Sequence, residues 1–261
     1  MRPDTDVIVH ELAPRTIKVW VCGDVHVGAE NCQLKEFERW IAEIENDPDA
    51  YVIFTGDLMD TATKSSVGDV FHGMNPREQM EYIHDTLYNL AHEGKILAML
   101  TGNHELRVAR ETSIDPLYDV AVRLGIQNVY RRDFAAVRIR MSSTEVRDNS
   151  KGTRIAYSIL AFHGGSDFKV RQMANNVEGF DALVTGHSHQ PVTRIPAHLC
   201  LTNANKIMLR EVVQVTGCSW CDYAGYGARG MFQPQVQSRP QALVLHWVGS
   251  NNADKRLTVE W

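Results

Sequence analysis

No apolar run in this 261-residue chain exceeds about seven residues, far short of the roughly 20 that a membrane-spanning helix needs. The opening Met1-Arg2-Pro3-Asp4-Thr5-Asp6 carries acids and a proline where a signal peptide requires an apolar stretch. Cysteine is scarce and odd in number: five residues, at 22, 32, 200, 218 and 221, form no disulfide framework. These absences point to a reducing cytoplasm with no membrane partner. An excess of positive charge is missing too. A net charge of −5 argues against coating nucleic acid through bulk charge, although a local basic groove remains open. Repeats, low-complexity tracts and linkers are also lacking, so one mixed α/β domain over residues 1–261 is expected.

What is present is the composition of a globular protein: 44% hydrophobic, 23% charged and 8% aromatic residues exclude disordered, collagen-like and coiled-coil chains. A chain of this length buries roughly 70–75% of its unfolded surface, so folding requires neither metal nor disulfide. Strand-like and helix-like runs alternate through the first half. Thr16–Cys22 reads as a strand, and Leu34, Phe37, Ile41 and Ile44 give residues 31–46 a helical spacing. Tyr51–Thr55 is a short buried strand. Asn75 and Pro76 form a cap and first-turn pair for a helix to about Glu93, and Lys95–Thr101 is a further strand. A helical stretch follows near Asp115–Leu124. Then come the strands Val129–Met141 and Arg154–Phe162, a short helix near Asp167–Asn175 and the strand Ala182–Thr185. The remainder is mostly β: Leu199–Thr202, Ile207–Thr216, Ala242–Val248 and Arg256–Trp261. The first half suggests βαβ units and the second mainly antiparallel strands.

Five of the eleven histidines lie just after predicted strands. The first strand ends in Gly23-Asp24-Val25-His26, the second in Gly56-Asp57-Leu58-Met59-Asp60 and the third in Gly102-Asn103-His104-Glu105. Two later strands end in His163-Gly164-Gly165 and Gly186-His187-Ser188-His189. Ligands bind in the crevice outside the strand carboxyl ends of open α/β sheets. One such histidine alone is usually a structural residue; five such endings in one chain are a poor match to coincidence. Mixed imidazole and carboxyl ligands suit borderline first-row metals such as manganese, iron, zinc or cobalt better than calcium or magnesium. A carboxylate such as Asp57 can turn one oxygen to each of two ions. Two ions roughly 3.5–4 Å apart can activate water and brace the attacking and leaving oxygens of a phosphate.

The ordered set Asp24/His26, Gly56-Asp57/Asp60, Gly102-Asn103-His104-Glu105, His163 and Gly186-His187/His189 resembles the calcineurin-like metallophosphoesterase superfamily, over residues 24 to 189. The resemblance implies a four-layer α/β/β/α sandwich, two mixed β-sheets flanked by helices, with a dinuclear site at one edge. It implies Asp24, His26, Asp57 and His189 around one metal, and Asp57, Asn103, His163 and His187 around the other. The ions would be two divalent transition metals, manganese first, with iron, zinc, cobalt or nickel as alternatives. His104 would contact the phosphate and protonate the leaving oxygen, as a histidine beside a metal-bound Asn can. Asp60 either orients a ligand from behind or is a solvated loop carboxylate. Arg107, one helical turn beyond His104, either touches a substrate phosphate or is a surface arginine. Protein phosphatases of the family continue the second motif as Asp-Arg-Gly, whereas Asp60 is followed here by Thr61-Ala62-Thr63. That departure favours a phosphodiesterase acting on a nucleotide or nucleic acid over a phosphomonoesterase. A non-catalytic scaffold of the same fold is the third reading, opposed by the full set of ligand positions. Small metallophosphoesterases of bacterial viruses also look similar.

Three weaker signals remain. Gly225–Gly230 fits the dinucleotide pattern G-x-G-x-x-G, but the Met231-Phe232-Gln233-Pro234 that follows opens no helix, so a surface loop is expected. Cys218 and Cys221 with His198 and Cys200 are either four zinc ligands or plain thiols, and their spacing favours thiols. Residues 131–154 hold seven Lys or Arg against three acids, and Arg138 and Arg140 alternate with Val137, Ile139 and Met141. That strand face is either merely solvated or guides a polyanion to the cleft.

Overall fold

The computed structural model describes residues 6–13, 15–63, 73–142, 154–165, 172–173, 176–201, 205–223, 240–247 and 255–261. Two six-stranded mixed sheets carry the fold. With strands numbered in chain order, the first sheet runs β14 (Arg256–Glu260), β13 (Gln241–His246), β2 (Ile17–Cys22), β3 (Ala50–Phe54), β4 (Ile96–Leu100) and β5 (Tyr130–Arg131). Strands β2 to β5 are parallel to one another, and β13 is antiparallel to both β2 and β14. The second sheet runs β1 (Ile8–Leu12), β6 (Phe134–Ser142), β7 (Arg154–Phe162), β8 (Ala182–Thr185), β12 (Val213–Thr216) and β9 (Val192–Arg194). There β1 is parallel to β6 and β7, β8 and β12 are mutually parallel, while β6–β7 and β12–β9 are antiparallel. A separate hairpin, β10 (Ala197–Leu201) and β11 (Ile207–Glu211), exposes Leu199, Leu201, Ile207 and Leu209.

The helices form where the sequence caps them. In α1 (Leu34–Asn46) Phe37, Trp40, Ile41 and Ile44 are buried on one stripe. Asn75 opens α2 (Pro76–His92) with a full capping box: its side chain accepts from Arg77 and Glu78 backbone N–H, and Glu78 accepts from Asn75 N–H. Asp115 caps α4 (Pro116–Arg123) through Tyr118 N–H at 3.1 Å. Between them lies α3 (Asn103–Thr112). These helices pack in sequence, α1 on α2, α2 on α4 and α4 on α3, with α1 against β3. One continuous core joins both sheets to this helical layer. Tyr157 of β7, fully buried, ties the sheets together: its Oη lies 2.7 Å from the carbonyl O of His246 and 2.9 Å from that of Arg256, and accepts Arg256 N–H at 3.1 Å.

The architecture is the expected α/β sandwich of two mixed sheets flanked by helices. The helix expected near Asp167–Asn175 lies almost wholly outside the described residues. Two expected strands are each two strands in different sheets. Val129–Met141 breaks at Arg132–Asp133 into β5 and β6, and Ile207–Thr216 breaks at Val212 into β11 and β12. The second half is also less antiparallel than expected, because β7, β8 and β12 run parallel. Among the described residues no helix is long and apolar enough to cross a membrane.

Lys95, expected merely to begin a strand, is buried, and it caps a helix. Its Nζ donates to the carbonyls of Ile44 and Glu45, both at 2.7 Å, and of Asp47 at 3.1 Å, where α1 leaves its last acceptors without intrahelical partners. Replacing Lys95 with Met should cost about 2–4 kcal/mol of stability, since buried acceptors lose charged donors. Urea unfolding should show a lower midpoint with an unchanged m-value.

Candidate metal centre

The parallel strands β2, β3 and β4 of one sheet and β7 and β8 of the other end at the same edge. Their next residues are Gly23-Asp24, Thr55-Gly56-Asp57, Thr101-Gly102-Asn103, His163 and Gly186-His187. A strand continued straight would send these side chains past one another. The chain instead turns sharply: Asp24, His26, Asp57, His187 and His189 all adopt positive φ, between 52° and 69°. Non-glycine residues rarely tolerate this region, at of order 1 kcal/mol or more each, and such strain gathers at functional sites. Close approach also demands glycine at two turns. At Gly56, with φ of 100°, an added Cβ would lie 2.5 Å from Gly102 N, and at Gly102 it would collide with the Asp57 carboxylate.

Two groups of donors result. In the first, His163 donates from Nδ1 to Thr55 O at 2.8 Å, which fixes its ring and turns Nε2 inward. Around that nitrogen lie Asn103 Oδ1 at 3.0 Å, Asp57 Oδ2 at 3.2 Å and His187 Nδ1 at 3.3 Å. In the second, His189 Nε2 is 3.1 Å from His26 Nε2 and 3.3 Å from Asp24 Oδ1. Imidazole nitrogens this close share a proton in an N–H···N hydrogen bond, a place that a metal ion would take by displacing the proton. Ligands bound at about 2.0–2.2 Å to one ion stand roughly 3.0–3.4 Å apart, the separations seen here. Asp24 Oδ1 and His26 Nδ1 are moreover buried with no hydrogen-bond partner. The sets Asp24, His26 and His189, and Asp57, His163 and His187, are each close enough to hold an ion. Asp57 groups with His163 and His187, and its other oxygen, Oδ1, accepts His104 N–H at 2.8 Å.

The electrostatics agree with cation binding. Burial pushes the Asp57 carboxyl up, but the hydrogen bond and charge of His163, with His104 and His26, hold it well below the usual carboxylate range. Burial lowers His163, yet Asp57 and Asp24 more than offset this and raise it to about 9. His189 is raised in the same way, Asp24 outweighing burial. Conversely His26 is held well below its ordinary value by burial and by His104, and His187 is lowered by burial and His163. The field that draws protons to His163 and His189 would equally hold a divalent ion.

His104 stands beside these groups. Its Nδ1 donates to Asp60 O at 2.8 Å and lies 3.2 Å from Asp60 Oδ1, while Nε2 is 4.0 Å from Asp57 Oδ2. Burial lowers this histidine, but Asp60 and Asp57 outweigh burial and raise it above its ordinary value. Asp60 also lies 3.9 Å from His26 Nδ1, so its carboxylate backs both rings, and His26, Asp60 and His104 form a third close group. Arg107 is half-buried on α3, with its charge felt at His104.

Sequence reasoning gave Glu105 no role. It is fully buried and accepts three backbone N–H groups: Met59 and Gly102 at 2.9 Å and Asp57 at 3.1 Å. Burial and the Asp57 carboxylate raise it to about 7. Glu at the third helical position was visible, but a glycine cap hides the usual capping signature. The zinc alternative for the cysteines is not supported. His198 and Cys200 sit on the hairpin, Cys221 pairs with Cys32 instead, and no cysteine joins any close donor group among the described residues. Gly225–Gly230 lies outside the described residues. Arg138 and Arg140 alternate outward as expected, but Arg140 is paired with Glu11 at 3.0 Å.

Comparison with curated proteins gives no significant match. Similar solved structures include a metallophosphoesterase from Sphaerobacter thermophilus, with 10% identity over 94% of this chain and 87% of that one and a TM-score of 0.41. Vps29 complexed with zinc from Entamoeba histolytica shows 13% identity over 94% and 97%, at 0.36. The Pseudomonas putida nuclease MPE shows 14% over 92% and 85%, at 0.36. A family model described as calcineurin-like phosphoesterase matches residues 17–191, which contain every strand ending of the two donor groups. With more than half its length matched, the chain belongs to the calcineurin-like phosphoesterase family.

Proposed function

We propose that this protein hydrolyses phosphoesters with a dinuclear metal centre, its substrate being a phosphodiester of the nucleotide or nucleic-acid type. In this reading Asp24, His26, Asp57 and His189 hold one ion and Asp57, Asn103, His163 and His187 the other. The observation that carries it is the convergence of Asn103, Asp57 and His187 donors within 3.3 Å of His163 Nε2, beside the Asp24–His26–His189 group. Manganese is the first choice of metal, with iron, zinc, cobalt and nickel as alternatives. Bound there, the ions supply Lewis acidity that lowers the pKa of water and offsets phosphate charge.

His104 supplies the proton. Its Nδ1–H is held by Asp60 O, so Nε2 is the atom left to face a leaving oxygen, and the Asp60 carboxylate stabilises the protonated ring. Arg107 neutralises a substrate phosphate from the next helical turn. The diester preference rests on Thr61, which stands where protein phosphatases of the family carry arginine. Thr61 is neutral and buried, its hydroxyl donating to His104 O at 2.8 Å and its N–H to Gln79 Oε1 at 2.9 Å. It offers no cation for the second charge of a monoester. A phosphomonoesterase is the alternative. A non-catalytic scaffold is opposed by the filled ligand set. The thiols of all five cysteines suit a reducing cytoplasm.

Three outcomes are expected. Elemental analysis should find two transition-metal ions per chain; one ion only, or ions held elsewhere in a manganese-loaded crystal, defeats the ligand assignment. Bis-(p-nitrophenyl) phosphate should be turned over faster than p-nitrophenyl phosphate at matched metal and pH, and the reverse order would make the monoester reading the correct one. Replacing His104 with Ala should leave metal content unchanged and lower kcat by about 10²–10⁴ on esters with poor leaving groups. The loss should shrink for nitrophenolate, which hardly needs a proton. Equal losses on both would show that His104 positions phosphate and is not the acid.

A further inference from the structure

Two cysteines far apart in sequence meet beside the loop that carries Asp24 and His26. Cys32 and Cys221 face each other in an antiparallel bridge. The backbone bonds flank the pair: Gln33 N–H donates to Trp220 O at 2.8 Å, and Asp222 N–H donates to Asn31 O at 2.9 Å. That pattern makes Cys32–Cys221 a non-hydrogen-bonded pair, the position at which side chains of an antiparallel ladder come closest, with Cα atoms about 4.5 Å apart. A disulfide accepts Cα separations of about 4.4–6.8 Å, so no backbone shift is needed to join them. The sulfurs already converge. Cys32 Sγ is 3.0 Å and Cys221 Sγ 3.8 Å from the same acceptor, Val25 O. Both residues are half-buried.

The surrounding contacts hold the segments in register. Gln33 Nε2 donates to Asp222 Oδ1 at 2.5 Å, and the Trp220 ring packs on Phe37 and Trp40 of α1 at 5.3 and 5.2 Å. Trp220 N–H donates to Asp24 O at 3.1 Å, so this segment is also fastened to the metal-centre loop itself. Cys22 and Cys218, by contrast, are fully buried, and Cys200 sits on the separate hairpin.

We propose that Cys32 and Cys221 are a redox-modification site, forming a reversible disulfide whose state is felt at the backbone between Asp24 and His26. The oxidant is a low-molecular-weight disulfide of the glutathione class. Cys32 thiolate attacks one of its sulfurs, forming a mixed disulfide and expelling one thiolate. Cys221 thiolate then attacks Cys32 Sγ, the protein S–S bond forms and the second small thiolate leaves. Two cysteines are oxidised, one small disulfide is reduced to two thiols, and the two cysteine protons pass to the departing thiolates. The neighbouring Cys32 thiol and burial push the Cys221 thiol well above the ordinary range, which makes Cys32 the first to attack. Oxidation removes both S–H donors from Val25 O, the carbonyl that separates the two candidate ligands. The effect on turnover rests on the proposed hydrolytic function; the disulfide itself does not.

The test treats the full-length, manganese-loaded protein with glutathione disulfide, alkylates remaining thiols and maps peptides without reduction. The expected result is a loss of two hydrogens in intact mass and one crosslinked pair containing Cys32 and Cys221, reversed by dithiothreitol. Cys221→Ser should instead stop at the mixed disulfide, gaining the mass of one glutathione on Cys32. Stable glutathione adducts on the wild type without a crosslink, or a crosslink through Cys218, would overturn the site. Manganese retained after dialysis, and diester turnover where there is any, should differ between oxidised and reduced wild type and not respond to oxidant in Cys221→Ser. A crosslink that changes neither would overturn the coupling to the metal loop. A protein inactive on every ester would leave the mass map and manganese readouts intact.

Discussion

The carboxylate of Glu105 is the fastening on which the metal-centre edge depends. It gathers the N–H groups of Asp57, Met59 and Gly102, joining the turn after β3 to the turn that opens α3. Asp57 then accepts the N–H of His104, so one buried acid indirectly aims both a candidate ligand and the candidate proton donor. Hydrogen bonds to a charged acceptor contribute about 1.5–3 kcal/mol each. Five ligand-candidate residues held at positive φ cost several kcal/mol together, a large share of a net stability of about 5–15 kcal/mol. Fastenings of this kind offset that strain. Asp24, after β2, plays the same part toward the second sheet, accepting His187 N–H at 2.7 Å through Oδ2 while Oδ1 is left toward His189.

Strain and unmet polarity point to the same chemistry. A purely structural cluster of buried acids and histidines would satisfy its donors and acceptors internally. Here Asp24 Oδ1 and His26 Nδ1 find no partner, and imidazole nitrogens face one another in two places. The same carboxylates raise His163 and His189, while burial and neighbouring histidines lower His26 and His187. Divalent cations at the proposed site would replace protons on some rings and give the others a partner.

The strand endings were readable because each depends on a few adjacent residues: a β-prone run, a glycine, then a ligand-type side chain. The caps at Asn75 and Asp115 were local for the same reason. What escaped was decided by partners far along the chain. The charged Arg131-Arg132-Asp133 interrupts Val129–Met141 without telling that the chain there leaves one sheet for the other, and Val212 makes a second crossing inside a run whose β-type residues continue on both sides. Lys95 reads as the polar start of a strand until α1 presents three carbonyls to it. Cys221 invited comparison with Cys218, three residues away, whereas the residue it meets is Cys32. Periodicity reports which face is buried and says nothing of what buries it.

The register of the second sheet bears on how a substrate reaches the edge. Strand β6 runs opposite to β7, so Phe134 pairs with Phe162 beside His163, while Arg138 pairs with Ser158 and Arg140 with Ala156. At about 3.3 Å per residue these arginines lie roughly 13 and 20 Å back along the sheet from the strand ends. They also point to the face opposite Val137 and Ile139, away from the space between the sheets, and Arg140 is already paired with Glu11. Only a polyanion long enough to cover that distance could touch this face and still place a phosphate at His104. In the proposed reading, selectivity for a small ester would arise at the rim itself, from the turns after β3, β4 and β8 and from Arg107, whose charge is felt within the site.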